Sequence, residues 1–173
     1  VVSPLVVRIL DAIDKEHFDD VHLHLNTNGV TVQAQDLMQH PRWDSISMSL
    51  HHYDVNRLSD LYGCEIPAHL LHFTGVDKQK INFSCNLIKG YIDNKEEVRK
   101  MLDLTLDTGI RRIGFVALMP VNSFCKEHFI DIDDIPFAEI PHVYFTGAKD
   151  RGADCKCSNY LYNKNLRILE IYM

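Results

Sequence analysis

The side chains able to do chemistry stand in a few short segments. His22 and His24 lie two apart, so on an extended strand both imidazoles leave one face. Such a pair is a ligand set for a metal such as zinc, or simply two face histidines with ordinary partners. His51-His52 closes an alternating segment. Neighbours on an extended chain point opposite ways, so only one can face a site, as a general acid or base or as a turn residue. Cys155-Lys156-Cys157 sets two thiols one residue apart, and thiolates are soft ligands for zinc or an iron–sulfur cluster. Two cysteines leave such a site short of ligands. Cys64, Cys85 and Cys125 read as small buried hydrophobes. Lys89-Gly90 is an anion contact or a turn, and Asp131-Ile132-Asp133-Asp134 a solvated acidic loop. There is no glycine-rich phosphate loop, no G-x-S-x-G and no H-E-x-x-H.

These segments need elements to position them. Ser3-Pro4 is an N-cap followed by proline at the first helical position, and Val6, Leu10, Ile13 and His17/Phe18 continue at helical spacing. Val21 to Leu25 reads as a strand, ended by Asn26-Thr27-Asn28-Gly29, where asparagine and glycine supply positive φ. A short helix over 32–40 stops at Pro41, and Ser45 to Leu50 alternates with period two. Residues 53–62 are weakly helical up to Gly63, and 64–79 carry no clear pattern. Ile81 to Ile88 is the next strand. Asp93-Asn94-Lys95-Glu96 reads as a capping box with Asp93 as the cap, and Val98, Met101, Leu102, Thr105 and Leu106 form one apolar face up to Gly109. Arg112 to Met119 is a strand, and Leu166 to Tyr172 a final one. Strands starting near 21, 45, 81 and 111, with helices between, predict βαβ units and a parallel sheet. In such folds the chemistry sits at the C-terminal strand ends.

The chain has 173 residues, 46% hydrophobic and 24% charged, with net charge −6. That balance fits one soluble globular domain and argues against a disordered chain. The acidic excess gives no footprint for nucleic acid or a membrane surface. No apolar run reaches the roughly 20 residues of a spanning helix. Five cysteines suit a disulfide framework poorly, so a reducing, cytoplasmic setting is expected.

Four segments match, in order and spacing, the motifs of one family over roughly residues 4–122. Leu25-Asn26-Thr27-Asn28-Gly29 matches a "TTNG" turn, and Ser45-Ile46-Ser47-Met48-Ser49-Leu50 an "INVSLD" strand. The stretch from Ile81 to Asp93 looks like that family's strand and following helix cap. Arg112 to Val121 looks like its "RFIELMPVG" strand. The chain thereby resembles the radical S-adenosylmethionine (radical SAM) enzymes, closest to the MoaA-like group.

The resemblance implies an α/β fold: a partial (β/α)6 TIM-like barrel of parallel strands, incomplete at the N-terminus. The barrel core would span residues 1–122 and a C-terminal extension 123–173. It implies a [4Fe–4S] cluster that binds S-adenosylmethionine and, fed by a flavodoxin or ferredoxin, cleaves it to a 5′-deoxyadenosyl radical. That radical abstracts hydrogen from a small-molecule or peptide substrate. Cofactor contacts carry over to Ser49 and Met119, Ser84 and Asn86 alternate onto one face of their strand where they would meet the cofactor ribose, and substrate contacts fall on Asn26, His51 and Asn82. His51 stands where the family has Asp, and Asn82 where it has a nucleotide-contacting Lys, which argues against GTP as substrate. Cys155 and Cys157 resemble the start of an auxiliary-cluster segment, with one residue between them in place of two. The family's C-x-x-x-C-x-x-C loop is absent from these residues, so the main cluster ligands are expected upstream. Without that loop this stretch has no radical chemistry of its own. Two other readings remain open: a metal hydrolase or isomerase using His22, His24 and His51, and a cluster-less barrel that binds a peptide or partner.

Overall fold

A computed structural model describes residues 4–13, 21–148 and 158–173. Helix α1 spans Pro4–Ala12 and strand β1 His24–Thr27. Then follow α2 (Val32–Met38), β2 (Ser45–Ser49), α3 (Val55–Tyr62), β3 (Ile81–Leu87), α4 (Lys95–Thr108) and β4 (Arg112–Ala117). A short α5 (Ser123–Glu127) leads to β5 (Val143–Ala148), β6 (Ser158–Lys164) and β7 (Arg167–Tyr172). Single 3₁₀ turns lie at Ala68–His72, Ile132–Asp134 and Phe137–Glu139.

The strands form one seven-stranded sheet in the order β1-β2-β3-β4-β7-β6-β5. β1 to β4 are parallel, and β7 joins parallel to β4. β6 and β5 continue antiparallel. The sheet is not closed; β1 and β5 are its edges. The expected parallel βαβ run is present. The final strand expected over 166–172 is present as β7, whereas β5 and β6 lie where no strand was expected. The final strand does not extend the chain's own order but inserts beside β4.

The local reasons are legible. Thr31 caps α2 through Ala34 N, and Asp54 caps α3 through the N–H groups of Asn56 and Arg57. α4 corrects the expected cap: Asn94, not Asp93, accepts from Glu96 N and Glu97 N. Asp93 instead accepts from Gly90 N at 2.6 Å, tightening the preceding turn. Gly109 then ends α4 at φ 83, a left-handed conformation that glycine adopts without steric penalty.

One face of the sheet carries the core. Ile46, Met48, Ile81, Phe83, Leu87, Ile113, Phe115, Leu169 and Ile171 are buried there. They pack with Val98, Met101, Leu102 and Leu106 of α4 and with Phe73, Phe137 and Tyr162. Phe73 meets Phe83 at 5.5 Å and Phe115 meets Phe137 at 5.4 Å between ring centroids, the tilted pairing aromatic rings prefer. Tyr162 donates to Asp103 Oδ1 at 2.6 Å, and Lys164 reaches the same oxygen, fastening the β6–β7 hairpin to α4. Burial works to raise the Asp103 carboxyl, and the hydrogen bonds from Lys164 and Tyr162 overcome it, holding the group below its ordinary range.

Candidate functional site

The opposite face of the sheet is polar over β1 to β3, with Val116 and Ile168 exposed on it further along. β3 alternates buried and half-buried along its whole length, as Ile81-Phe83-Cys85-Leu87 turn to the core and Asn82-Ser84-Asn86 away from it. Strands of a parallel sheet covered by apolar packing on both sides read as continuous hydrophobic runs; these do not. Cα register places Asn26, Ser47 and Asn82 in one row across β1, β2 and β3. A second row runs Ser49–Ser84–Gly114–Tyr172–Asn159 across β2, β3, β4, β7 and β6. Asn86 lies one step further along, opposite Val116.

This layer has unspent hydrogen-bonding capacity. Asn82 Oδ1 and Asn159 Oδ1 are buried atoms with no hydrogen-bond partner among the described residues. Most buried polar groups are satisfied, so each such orphan calls for a reason. Gly114 sits in the middle of the second row with an ordinary φ. A Cβ there would find nothing nearer than the carbonyl oxygens of Phe83 and Tyr172, both 3.9 Å away. The backbone does not require glycine at this position; its effect is to leave bare sheet between Ser84 and Tyr172.

Of the residues expected to contact cofactor or substrate, Ser49, Ser84, Asn86, Asn26 and Asn82 share this face. His51 stands at its rim, after β2. Its Nδ1 accepts from Asn86 N at 3.1 Å, so the ring is neutral with its proton on Nε2. Burial pushes its pKa below the ordinary histidine value. Met119 is exposed in the turn after β4, where its carbonyl accepts from Val121 N at 2.8 Å. The hydrolase set is not brought together: His51 stands six residue steps of extended chain, about 20 Å, from Ser45, where His22 and His24 meet. Cys155 and Cys157 lie outside the described residues. Cys85 is buried on the core side, where desolvation raises its thiol pKa. Cys64 and Cys125, expected to be buried, are exposed and half-buried respectively.

Sequence reasoning missed Gly114, Tyr172 and Asn159. The period-two alternation of β7 was a usable signal for the facing of Tyr172. Their position beside Ser84 was not readable, because the chain order gives no hint that β7 inserts next to β4.

A second feature, also missed, lies above the C-terminal ends of β2 and β3. An open cleft of about 400 Å³ is lined by His52, Tyr53, Arg57, Tyr91 and Glu97, among others. Arg57 stacks 4.3 Å over the Tyr91 ring and donates to the Gly90 carbonyl. Tyr53 donates to Glu97 at 2.6 Å. Its polar groups are largely spent on one another, unlike those of the sheet face.

Among the described residues, no group of three or more His, Cys, Asp or Glu side chains is placed to hold a metal ion, and no helix is long and apolar enough to cross a membrane. No protein-family model matches this chain, and no curated protein matches it significantly.

Proposed function

We propose that this chain carries the S-adenosylmethionine-binding sheet of a radical SAM enzyme, its open sheet forming part of a (β/α) barrel. The observation that supports this reading is the polar layer on one side of a mostly parallel sheet. Two orphaned amide oxygens and a glycine that the backbone does not require lie in that layer. The motifs that resemble the radical SAM family end on this same layer.

S-adenosylmethionine offers a ribose with two hydroxyls, a planar base and an amino-acid head. Ser49, Ser84 and Asn86 present donors and acceptors suited to ribose and amino-acid groups. The bare backbone at Gly114 suits a flat ring. Asn82 supplies an acceptor that otherwise lacks a donor. A hydrogen bond to Asn82 Oδ1 gives a partner to a buried group that lacks one, so that contact favours binding by more than an ordinary exchange with water. When bound, the sulfonium cofactor supplies a carbon–sulfur bond for reductive cleavage. The described residues hold no ligand set for the cluster that reduces it. What is assigned to them is therefore binding and orientation of the cofactor and exclusion of water from it.

Equilibrium dialysis of the full chain against labelled S-adenosylmethionine tests the reading. One site is expected, weakened at least about tenfold, or about 1.4 kcal/mol, by Ser84→Ala. Absence of binding, or binding indifferent to Ser84 and Gly114, overturns it. Release of 5′-deoxyadenosine after anaerobic reconstitution with iron, sulfide and a reductant tests the radical part separately; no release from a cluster-loaded sample sinks that part.

A further inference from the structure

A second site is visible at the opposite end of the same face, where β1 and β2 begin. His22 Nε2 lies 2.7 Å and His24 Nδ1 2.6 Å from one atom, Ser45 Oγ. His24 Nε2 lies 3.3 Å from Asn26 Oδ1. With His24 neutral, the form that can ligate a metal, these contacts place the protons. An amide oxygen only accepts, so His24 Nε2 carries the hydrogen and Nδ1 presents its lone pair. The Ser45 hydroxyl therefore donates to His24, and His22 Nε2–H donates to Ser45. Two imidazole nitrogens from neighbouring positions thus converge on one point on the edge strand, and His22, His24 and Asn26 are exposed.

We propose that His22 Nε2 and His24 Nδ1 chelate one borderline divalent transition-metal ion, with zinc the probe of choice. Imidazole is the common nitrogen ligand for such ions. His22, just before β1, and His24, its first residue, both reach Ser45 and so already face the same way. The second ring nitrogen of a metal-bound histidine normally donates to an oxygen that fixes its tautomer, and Asn26 Oδ1 already does this for His24. Binding needs His22 to shift its proton to Nδ1, a change of tautomer with no net charge, and the Ser45 hydroxyl to turn aside or become a third ligand. Asp44, next to Ser45, is held by the Leu23 N–H at 2.9 Å. The remaining positions belong to solvent, so the ion is exchangeable. Because β1 is an edge strand paired only to β2, the ion would tie the segment before β1 to the start of β2. The two proposed ligands share none of the cofactor contacts of the S-adenosylmethionine reading; Asn26, which orients His24 here, is the one residue that reading also uses, as a substrate contact.

The test is zinc titration of the full chain, followed by calorimetry and by nitrogen-15 spectra of the histidine rings. The ring spectra separate imidazole binding from binding at the cysteines. His22 Nε2 and His24 Nδ1 should move to metal-bound shifts while His24 Nε2 stays protonated. His22→Gln and His24→Gln should each weaken this site by more than the ~10–100-fold that loss of an outer-shell partner costs, and Asn26→Leu by about that factor. His72→Gln, an exposed histidine elsewhere, should change nothing. Unmoved His22 and His24 rings at saturating zinc, or an affinity indifferent to His24→Gln, overturns the proposal.

Discussion

Replacing Gly114 by valine separates a structural from a functional use of this residue. Gly114 lies in the interior of β4, and its φ is not in the left-handed region. The nearest atoms to an added Cβ are two carbonyl oxygens at 3.9 Å, ordinary contact. Valine therefore meets no clash at its first atom. Glycine in a strand interior costs roughly 0.5–1 kcal/mol relative to alanine, and a β-branched residue suits a strand better still. Gly114→Val should thus raise unfolding free energy by about 1 kcal/mol, or melting temperature by roughly 2–4 °C for a chain of this size. The same two methyl groups would stand on the bare sheet between Ser84 and Tyr172, where strands are only about 4.8 Å apart. Affinity for S-adenosylmethionine should fall at least about tenfold, near 1.4 kcal/mol, with Gly114→Ala intermediate. Urea unfolding and equilibrium dialysis read the two effects on one protein. A destabilised valine variant would show that the backbone needs glycine here. An unchanged affinity in a stable variant would show that the polar face is not the site.

Three further outcomes follow from the same structure. Asn82→Leu removes the orphaned buried oxygen, which leaves about 1 kcal/mol to be recovered; the variant should unfold at higher urea and lose cofactor affinity, and a less stable variant would contradict the orphan assignment. Asn94→Ala should cost about 1 kcal/mol by removing the α4 cap, while Asp93→Ala, which removes the Gly90 turn contact and the hydrogen bond from Asn94 Nδ2 that orients the cap, should cost less, a contrast that urea unfolding detects. His51 is held neutral in the fold, by burial first, and accepts the Asn86 N–H. Its folded pKa lies below the unfolded value near 6.5, so its contribution to stability is complete above that value. It is lost as pH falls from there toward the folded pKa. Urea midpoints between pH 8 and 5 should drop less in His51→Gln than in the parent; equal slopes would refute it.

The sequence determined the local elements through residue type and period. Ser45-Ser47-Ser49 and Asn82-Ser84-Asn86 alternate with buried neighbours, and the period of two alone put both sets on one face. Gly63 and Gly109 marked helix ends because only a left-handed residue closes them cheaply. The choice of Asn94 over Asp93 as cap was not legible: both are good caps, and only the fold of the Gly90 turn decides which carboxyl or amide is already taken. Tertiary structure alone decided where the last strands go. Nothing in 158–172 says that β7 pairs with β4, because strand neighbourhood depends on contacts between residues more than fifty positions apart. That insertion brings Tyr172 and Asn159 beside Gly114 and widens the polar face. The same is true of His22 and His24. Their spacing put two imidazoles on one side of a strand, but the convergence on Ser45 depends on the register of β1 against β2, which side-chain period does not encode.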